Sequence, residues 1–389
     1  MTTLSSSPAP VSALELVALA TAAMPSLQVR GIKGDLVDSE SGQWLSFVDV
    51  SGEQWLAWAP SFNFTESGFR KFERVLDLLT SAHIVRRVPF EVAKPVGSLS
   101  RKGDGAVLVL THPGGYPLCS TDLEKAGLLP QSLGSALAAL HELDPTTYAA
   151  ATGQFADAQM TRKALRRLVD LHAAAIPSRL RLRWLDAIDE DALWNFTPVP
   201  LHGSLSPEYI YAAPGGAVVG ITRFDRAAVG DPAQDLMWLM LYASDDFLKA
   251  FETSYCSTRP TTDLHVLTRA QLLSELETLR WYARAVYADD QEWRREGMRA
   301  LWDLDAELGD YRLVASRRQV VEIKFTVEEE PLLKLQSEGQ SARSARPTPS
   351  SPPRSTPDAV ETELIATVEK AGPFTPSRQD GPPSWSAGA

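Results

Sequence analysis

Between Leu201 and Met240 the chain gathers side chains that can handle protons, anions or metals: His202, Ser204, Tyr209, Arg223, Asp225, Asp231 and Asp235. Arg223 and Asp225 are two residues apart, so on an extended segment they share a face and pair with each other. Exposed, such a pair contributes about 0–1 kcal/mol. Asp231 before Pro232 has the form of a helix cap with proline in the first turn. Asp235, one turn later, falls where a helix dipole favours a carboxylate. His202, ahead of a turn at Pro207, is expected to be buried and hydrogen-bonded rather than catalytic. Elsewhere, "GIKGD" at 31–35 is too short to be a phosphate loop, and no Gly-x-Gly-x-x-Gly occurs. Cys119 and Cys256 stand far apart without metal-ligand spacing, so neither a disulfide framework nor a zinc site is expected.

The elements that must position these residues follow from hydrophobic periodicity. "YIYAA" and "AVVGITRF" flank "PGG" and read as a hairpin inserted among helices. Upstream, Ser12 caps a short helix that ends before Pro25, and "GQWLSFVDVSGEQWLAWAP" alternates as two antiparallel strands around a glycine turn. "TESGFRKFERVLDLLTSAH" places Phe69, Phe72, Leu76 and Leu79 on one helical stripe, with Thr65 as its cap. Two more strands surround the glycine turn of "VAKPVGSLSRKGDGAVLVLTHPGG". From about residue 120 the pattern is helical, including "DPAQDLMWLMLYA" and a long run from Thr268 to Glu307. The expected division is a flexible N-terminus (1–11), a small lobe (12–112), a helical lobe (113–325) and a Pro/Ser-rich disordered tail (326–389).

Within the tail, "PDAVETELIATVEKAGP" differs. Asp358 with Glu361 three residues on has the spacing of a capping box, Val360, Leu364, Ile365 and Val368 would share one helical face, and Gly372-Pro373 would stop it. A helix over 358–371 is a candidate for docking on a partner or on its own domain.

The 389 residues carry a net charge of −11, which argues against an extended nucleic-acid-binding surface. The basic run "RLRLR" (179–183) reads as a solvated helix face. "VSALELVALATAAM" contains Glu15 and has no preceding positive residue, so neither a signal peptide nor a membrane span is expected. The expected location is the cytoplasm. Ten lysines against 28 arginines hint at a GC-rich bacterial genome.

A small sheet with one helix, followed by a larger helical lobe carrying a hairpin, resembles the bilobal α+β protein-kinase-like fold. The block from Leu201 to Leu236 resembles the aminoglycoside and macrolide phosphotransferase family, whose pattern is H-G-D-L-H-P-G-N, a hairpin, I-D-W, then G-D-P and D-L. Its frame is present as His202, Gly203, Leu205, Pro207, Gly220, Gly230, Asp231, Pro232, Asp235 and Leu236. "WLAWAP" is similar to the family's small-lobe strand and "LGSALAALHELDP" to its first large-lobe helix, so the resemblance covers most of residues 12–310.

The resemblance implies ATP and magnesium as cofactors and assigns five roles. The catalytic Asp position is Ser204, the metal-binding Asn position Tyr209, the metal-binding Asp position Arg223, the basic strand position Trp58 and the helix acid Glu73. A serine hydroxyl is no general base unaided, and guanidinium cannot ligate magnesium. No cofactor is therefore expected, with Trp58 and Tyr209 filling part of the nucleotide cleft and Arg223 able to hold a phosphate or carboxylate without metal. The favoured expectation is an inactive binding or regulatory module for an unidentified protein or small-molecule ligand, with neither nucleic acid nor membrane as partner. The alternative is an active ATP- and magnesium-dependent phosphotransferase acting on a small hydroxylated or amino-sugar substrate, with Asp225 as its weakly placed acid.

Overall fold

Residues 11–39, 42–60, 66–101, 105–125, 127–259 and 263–314 are described by a computed structural model. The expectations for residues 1–10, the Thr65 cap, residues 315–325 and the tail with its helix 358–371 lie outside them.

Period-two alternation builds the first lobe. Helix α1 (Ala13–Ala23) begins at Ser12, whose Oγ accepts from the Glu15 amide at 3.2 Å. It is followed by β1 (Val29–Ser39), β2 (Gly42–Asp49), β3 (Gln54–Pro60), α2 (Glu66–Ile84), β4 (Pro95–Arg101) and β5 (Gly105–Thr111). The strands form one antiparallel sheet in the order β1-β2-β3-β5-β4. Because side chains alternate, one face presents Trp44, Leu56, Trp58, Leu108 and Leu110, which cluster with Phe72, Val75, Leu76 and Leu79 of α2. The opposite face presents Leu45, Phe47, Ala57, Val107 and Val109 to Leu16 and Ala20 of α1. Both faces of the sheet are therefore covered by helix, and the stripe expected on α2 packs as its spacing dictates.

The second lobe starts with β6 (Tyr116–Pro117) and continues through α3 (Leu128–His141), α4 (Pro145–Thr152), α5 (Ala158–Leu171) and α6 (Ser178–Asp189). The expected hairpin is β8 (Ile210–Ala212) with β9 (Val218–Ile221), to which β6 adds a third strand; β7 (Val199–Leu201) pairs with β10 (Ala228–Gly230). Then come α7 (Leu239–Tyr242), α8 (Asp245–Thr258), α9 (Val266–Tyr287) and α10 (Gln291–Leu308). No helix among the described residues is long and apolar enough to cross a membrane.

Three local expectations are corrected. "DPAQDLMWLMLYA" is not one helix: a 3-10 turn over Pro232–Asp235 precedes the single turn of α7, with Trp238 Nε1 donating to the Asp235 carbonyl at 2.8 Å. The run from Thr268 to Glu307 is two helices. Asp289 adopts φ 53°, and Asp290 then caps α10 by accepting from the amides of Glu292 and Trp293. Gly297 lets α10 pack closely on α9, because a Cβ there would stand 3.0 Å from Tyr282 Cα.

The basic run is a solvated face only in part: the Arg179 and Arg181 side chains are 50% and 43% exposed, but Arg183 is not. Arg183 is buried, with Nε and Nη2 donating to the Glu275 carboxylate at 2.9 and 2.5 Å and Nη1 to the Tyr311 carbonyl at 2.6 Å. Nothing in the spacing of the arginines announces that α9 supplies a buried acid to meet one of them. Breaking such a pair strands a charge in the interior. Glu275→Ala should therefore lower the unfolding free energy by about 3–5 kcal/mol in urea titrations, far beyond the loss from removing the exposed partner in Arg70→Ala.

Candidate functional site

The loop after β7 is held through its backbone. Asp235, fully buried, accepts from the His202 amide at 2.7 Å and the Gly203 amide at 2.8 Å. Its third partner is His141 Nε2 at 3.3 Å, while His141 Nδ1 meets the Tyr255 hydroxyl at 2.7 Å and Arg259 donates to that same hydroxyl at 2.6 Å. The sequence-based place for Asp235, at a helix start beside Asp231, thus gives way to a longer reach across to the loop. Gly203 has φ +88°, and a Cβ on it would fall 2.0 Å from the Arg226 carbonyl oxygen, so only glycine fits.

His202 is buried as expected. Its Nε2 faces the Thr222 carbonyl at 2.7 Å and must donate, leaving Nδ1 to accept from the Ser204 amide at 3.3 Å. Burial lowers its pKa, consistent with that neutral tautomer. Asp231 caps the turn by accepting from Ala233 N at 2.9 Å and is gripped by the buried Arg269, whose Nε and Nη2 donate to it at 2.9 and 2.8 Å.

Between the lobes stands a column of rings and one cation. Phe72 meets Trp58 edge-on at 5.1 Å, and Trp58 stacks on Trp44 at 4.6 Å. The Arg223 guanidinium then lies 4.9 Å from the Trp44 ring centre and 4.2 Å from that of Tyr209. Arg223 Nη1 also donates to the Tyr209 hydroxyl at 2.6 Å, and Tyr209 stacks in turn against His202 at 6.1 Å. Trp58 is fully buried, and Arg223 and Trp44 are each 5% exposed, so the cation is sandwiched away from water. Burial pushes the Tyr209 phenol up while Arg223 opposes the shift.

Arg223 reaches this place because it adopts a left-handed conformation, φ 66° and ψ 48°, before a 3-10 turn over Phe224–Arg226. The segment is therefore not extended, which removes the geometric basis for expecting Arg223 and Asp225 to share one face. A non-glycine residue in this region costs about 1–2 kcal/mol, borne by the surrounding contacts. Phe224, next in the chain, is buried against His202 at 4.7 Å and Phe90 at 6.3 Å.

The structure brings Trp58, Tyr209 and Arg223 together and leaves Glu73 outside. Glu73 is exposed on α2, whereas Phe72, one residue earlier, is the side chain against Trp58. Ser204 is half-buried on the glycine-held loop, its amide turned to His202. Asp225 is half-buried in the turn, and its Oδ1 is buried with no hydrogen-bond partner. Sequence reasoning passed over Trp44, although it lies directly opposite Trp58 in the β2–β3 register, a placement that strand alternation contains. It also passed over His112, in the connection after β5, whose ring meets Tyr211 edge-on at 5.0 Å.

At the positions the family resemblance assigns, these side chains do not match the ligands a magnesium–nucleotide takes. Magnesium takes oxygen ligands in octahedral array, and phosphates are gripped by cations free to face them. Arg223, whose guanidinium faces the Trp44 and Tyr209 rings, and the indole of Trp58 stand where the family resemblance leads one to expect a metal-binding Asp and a strand cation.

Two stacked lobes, an antiparallel sheet above helices with a hairpin at their junction, define a protein-kinase-like architecture. The sequence matches the model of the phosphotransferase enzyme family over residues 65–265, and the chain belongs to that family. Among solved structures it is similar to the macrolide 2'-phosphotransferase MphH from Brachybacterium faecium, with 20% identity, a TM-score of 0.61 and coverage of 73% of this chain and 97% of that one. It is also similar to the GDP complex of wild-type aminoglycoside 2'-phosphotransferase-IIIa, with 17% identity, a TM-score of 0.58 and coverage of 75% and 98%. At these identities the likeness is one of fold. No curated protein matches the chain.

The sandwich makes Arg223 a stability element. Arg223→Ala should cost about 2–4 kcal/mol in urea unfolding, from two cation–ring contacts and a buried charged hydrogen bond. Acid should act through the histidines. Burial, aided by the Lys33 charge, lowers His112 to about 4, and burial also lowers His141 and His202. Below pH ~6.5 the unfolded chain takes up protons that the folded chain refuses, so stability falls with pH from there toward about 4. Urea midpoints between pH 7.5 and 4.5 should decline accordingly, and His112→Gln should flatten the slope.

Proposed function

We propose that this member of the phosphotransferase family has lost phosphoryl transfer and serves as a binding or regulatory module on a kinase-like scaffold. The observation that carries the reading is the Arg223 guanidinium held between Trp44 and Tyr209, at the position where the family holds a metal-binding Asp. A permanent cation there repels magnesium, and the rings on either side fill volume that phosphates need. With serine at the base position, nothing on the loop takes the proton of an acceptor hydroxyl. The frame that folds the site, from Asp235 and Gly203 to Asp231 with Arg269, is intact, which is what a retained scaffold with an altered reaction centre requires. A cytoplasmic setting and a protein or small-molecule ligand belong to this same reading.

A second reading is favoured by one observation, the buried Asp225 Oδ1 without a hydrogen-bond partner. In it Asp225 supplies an acid for ATP- and magnesium-dependent transfer to a small hydroxylated or amino-sugar acceptor. The two readings part in one experiment. Under the first, millimolar ATP with magnesium leaves the melting temperature unchanged, and no labelled phosphate reaches an aminoglycoside, macrolide or simple sugar. A magnesium-dependent rise of several degrees that Asp225→Asn abolishes, or measurable transfer, would establish the second.

A further inference from the structure

Helix α10 closes the second lobe with Gly297, Ala300, Leu301 and Leu304 turned inward and buried. Its outward side is not uniformly polar. Met298 is 38% exposed and Trp302, one turn on, 59% exposed, and the exposed Arg295 and Arg299 lie beside them at helical spacing. Exposed Glu292, Glu296 and Asp303 border the arginines on their far side, so the strip of Met298, Trp302, Arg295 and Arg299 is the part of this face that suits an amphipathic segment apolar in the middle and acidic at one edge. Such a segment lies in this chain: residues 358–371 carry Val360, Leu364, Ile365 and Val368 at helical spacing, with Asp358, Glu361, Glu363 and Glu369 against the single Lys370.

We propose that residues 358–371 dock on the Met298–Trp302 face of α10, with their carboxylates toward Arg295 and Arg299. The path is short. The described chain ends at Val314, six residues after α10, and the segment before it is tied to α6: Arg183 donates to the Tyr311 carbonyl and stacks 5.1 Å from the Tyr311 ring centre. Forty-three residues separate Val314 from Asp358. Even at the 1.5 Å per residue of a helix they reach roughly 65 Å, more than twice the ~27 Å length of α10. Tethering raises the local concentration of the segment to the order of millimolar, so a contact of modest intrinsic affinity is populated in cis. This docking stands apart from the loss of phosphoryl transfer, since α10 carries none of the site residues.

The test is photo-crosslinking of the full-length chain, with Met298 replaced by p-benzoylphenylalanine and the products mapped by mass spectrometry. The expected result is a crosslink into residues 358–371 within one chain, identified by mixing isotopically light and heavy protein. Leu364→Asp with Val368→Asp should reduce it at least five-fold. Arg299→Glu should weaken it as well, and Glu361→Arg added to Arg299→Glu should restore it. Crosslinks between light and heavy chains would place a second copy on this face and overturn the proposal. So would crosslinks confined to other segments, absence of any crosslink, or a yield that the Leu364 and Val368 changes leave unaltered.

Discussion

The site rests on one buried carboxylate. Asp235 gathers the amides of His202 and Gly203 onto its two oxygens and takes a third contact from His141, which is itself fixed through Tyr255 to Arg259. Hydrogen bonds to a charged acceptor contribute about 1.5–3 kcal/mol each, and an acceptor left alone in the interior costs more. The arrangement therefore admits one conformation of the loop, pressed so closely on the Arg226 carbonyl that residue 203 has no side chain. Everything nearby inherits this rigidity. His202 is placed to receive the Thr222 carbonyl, which fixes the strand end from which Arg223 turns inward.

Given that frame, the centre is decided by which side chains enter it. Carboxylates assembled for a divalent ion repel one another until the ion arrives, so such a site is stabilised by its ligand. The centre here is self-complementary. The positive charge of Arg223 meets the negative faces of an indole and a phenol, and the phenol oxygen accepts a hydrogen bond from it. Trp58 and Phe72 extend the packing into the sheet lobe.

Much of this was legible in the sequence, and the reason is period. Alternation in "GQWLSFVDVSGEQWLAWAP" and the stripe on α2 are local signals that tertiary structure had no cause to override, and the frame residues His202, Gly203, Asp231 and Asp235 stand at spacings the fold needs. What escaped was non-local. Glu275 meets Arg183 across 92 residues, and Asp235 meets His202 across 33, so no window on the sequence contains either pair. The break after α9 was hidden because Asp289 and Asp290 look like ordinary helix-surface acids until one adopts a left-handed φ and the other caps the next helix.

The helix acid is the instructive case. The family resemblance assigns it to Glu73, which is expected in solvent when residue 58 carries no positive charge, and α2 does turn Phe72 toward Trp58 and leave Glu73 exposed. One residue on a helix is about 100° of rotation, enough to carry a side chain from the cleft to the surface. Trp58 and Phe72 suit each other. A glutamate facing the indole of Trp58 would be a buried carboxylate without a cation, costing several kcal/mol, whereas a phenylalanine packs edge-on against the ring. An aromatic residue at 58 is matched by an apolar residue facing it from α2, and Glu73 beside it is tolerated because it points into solvent.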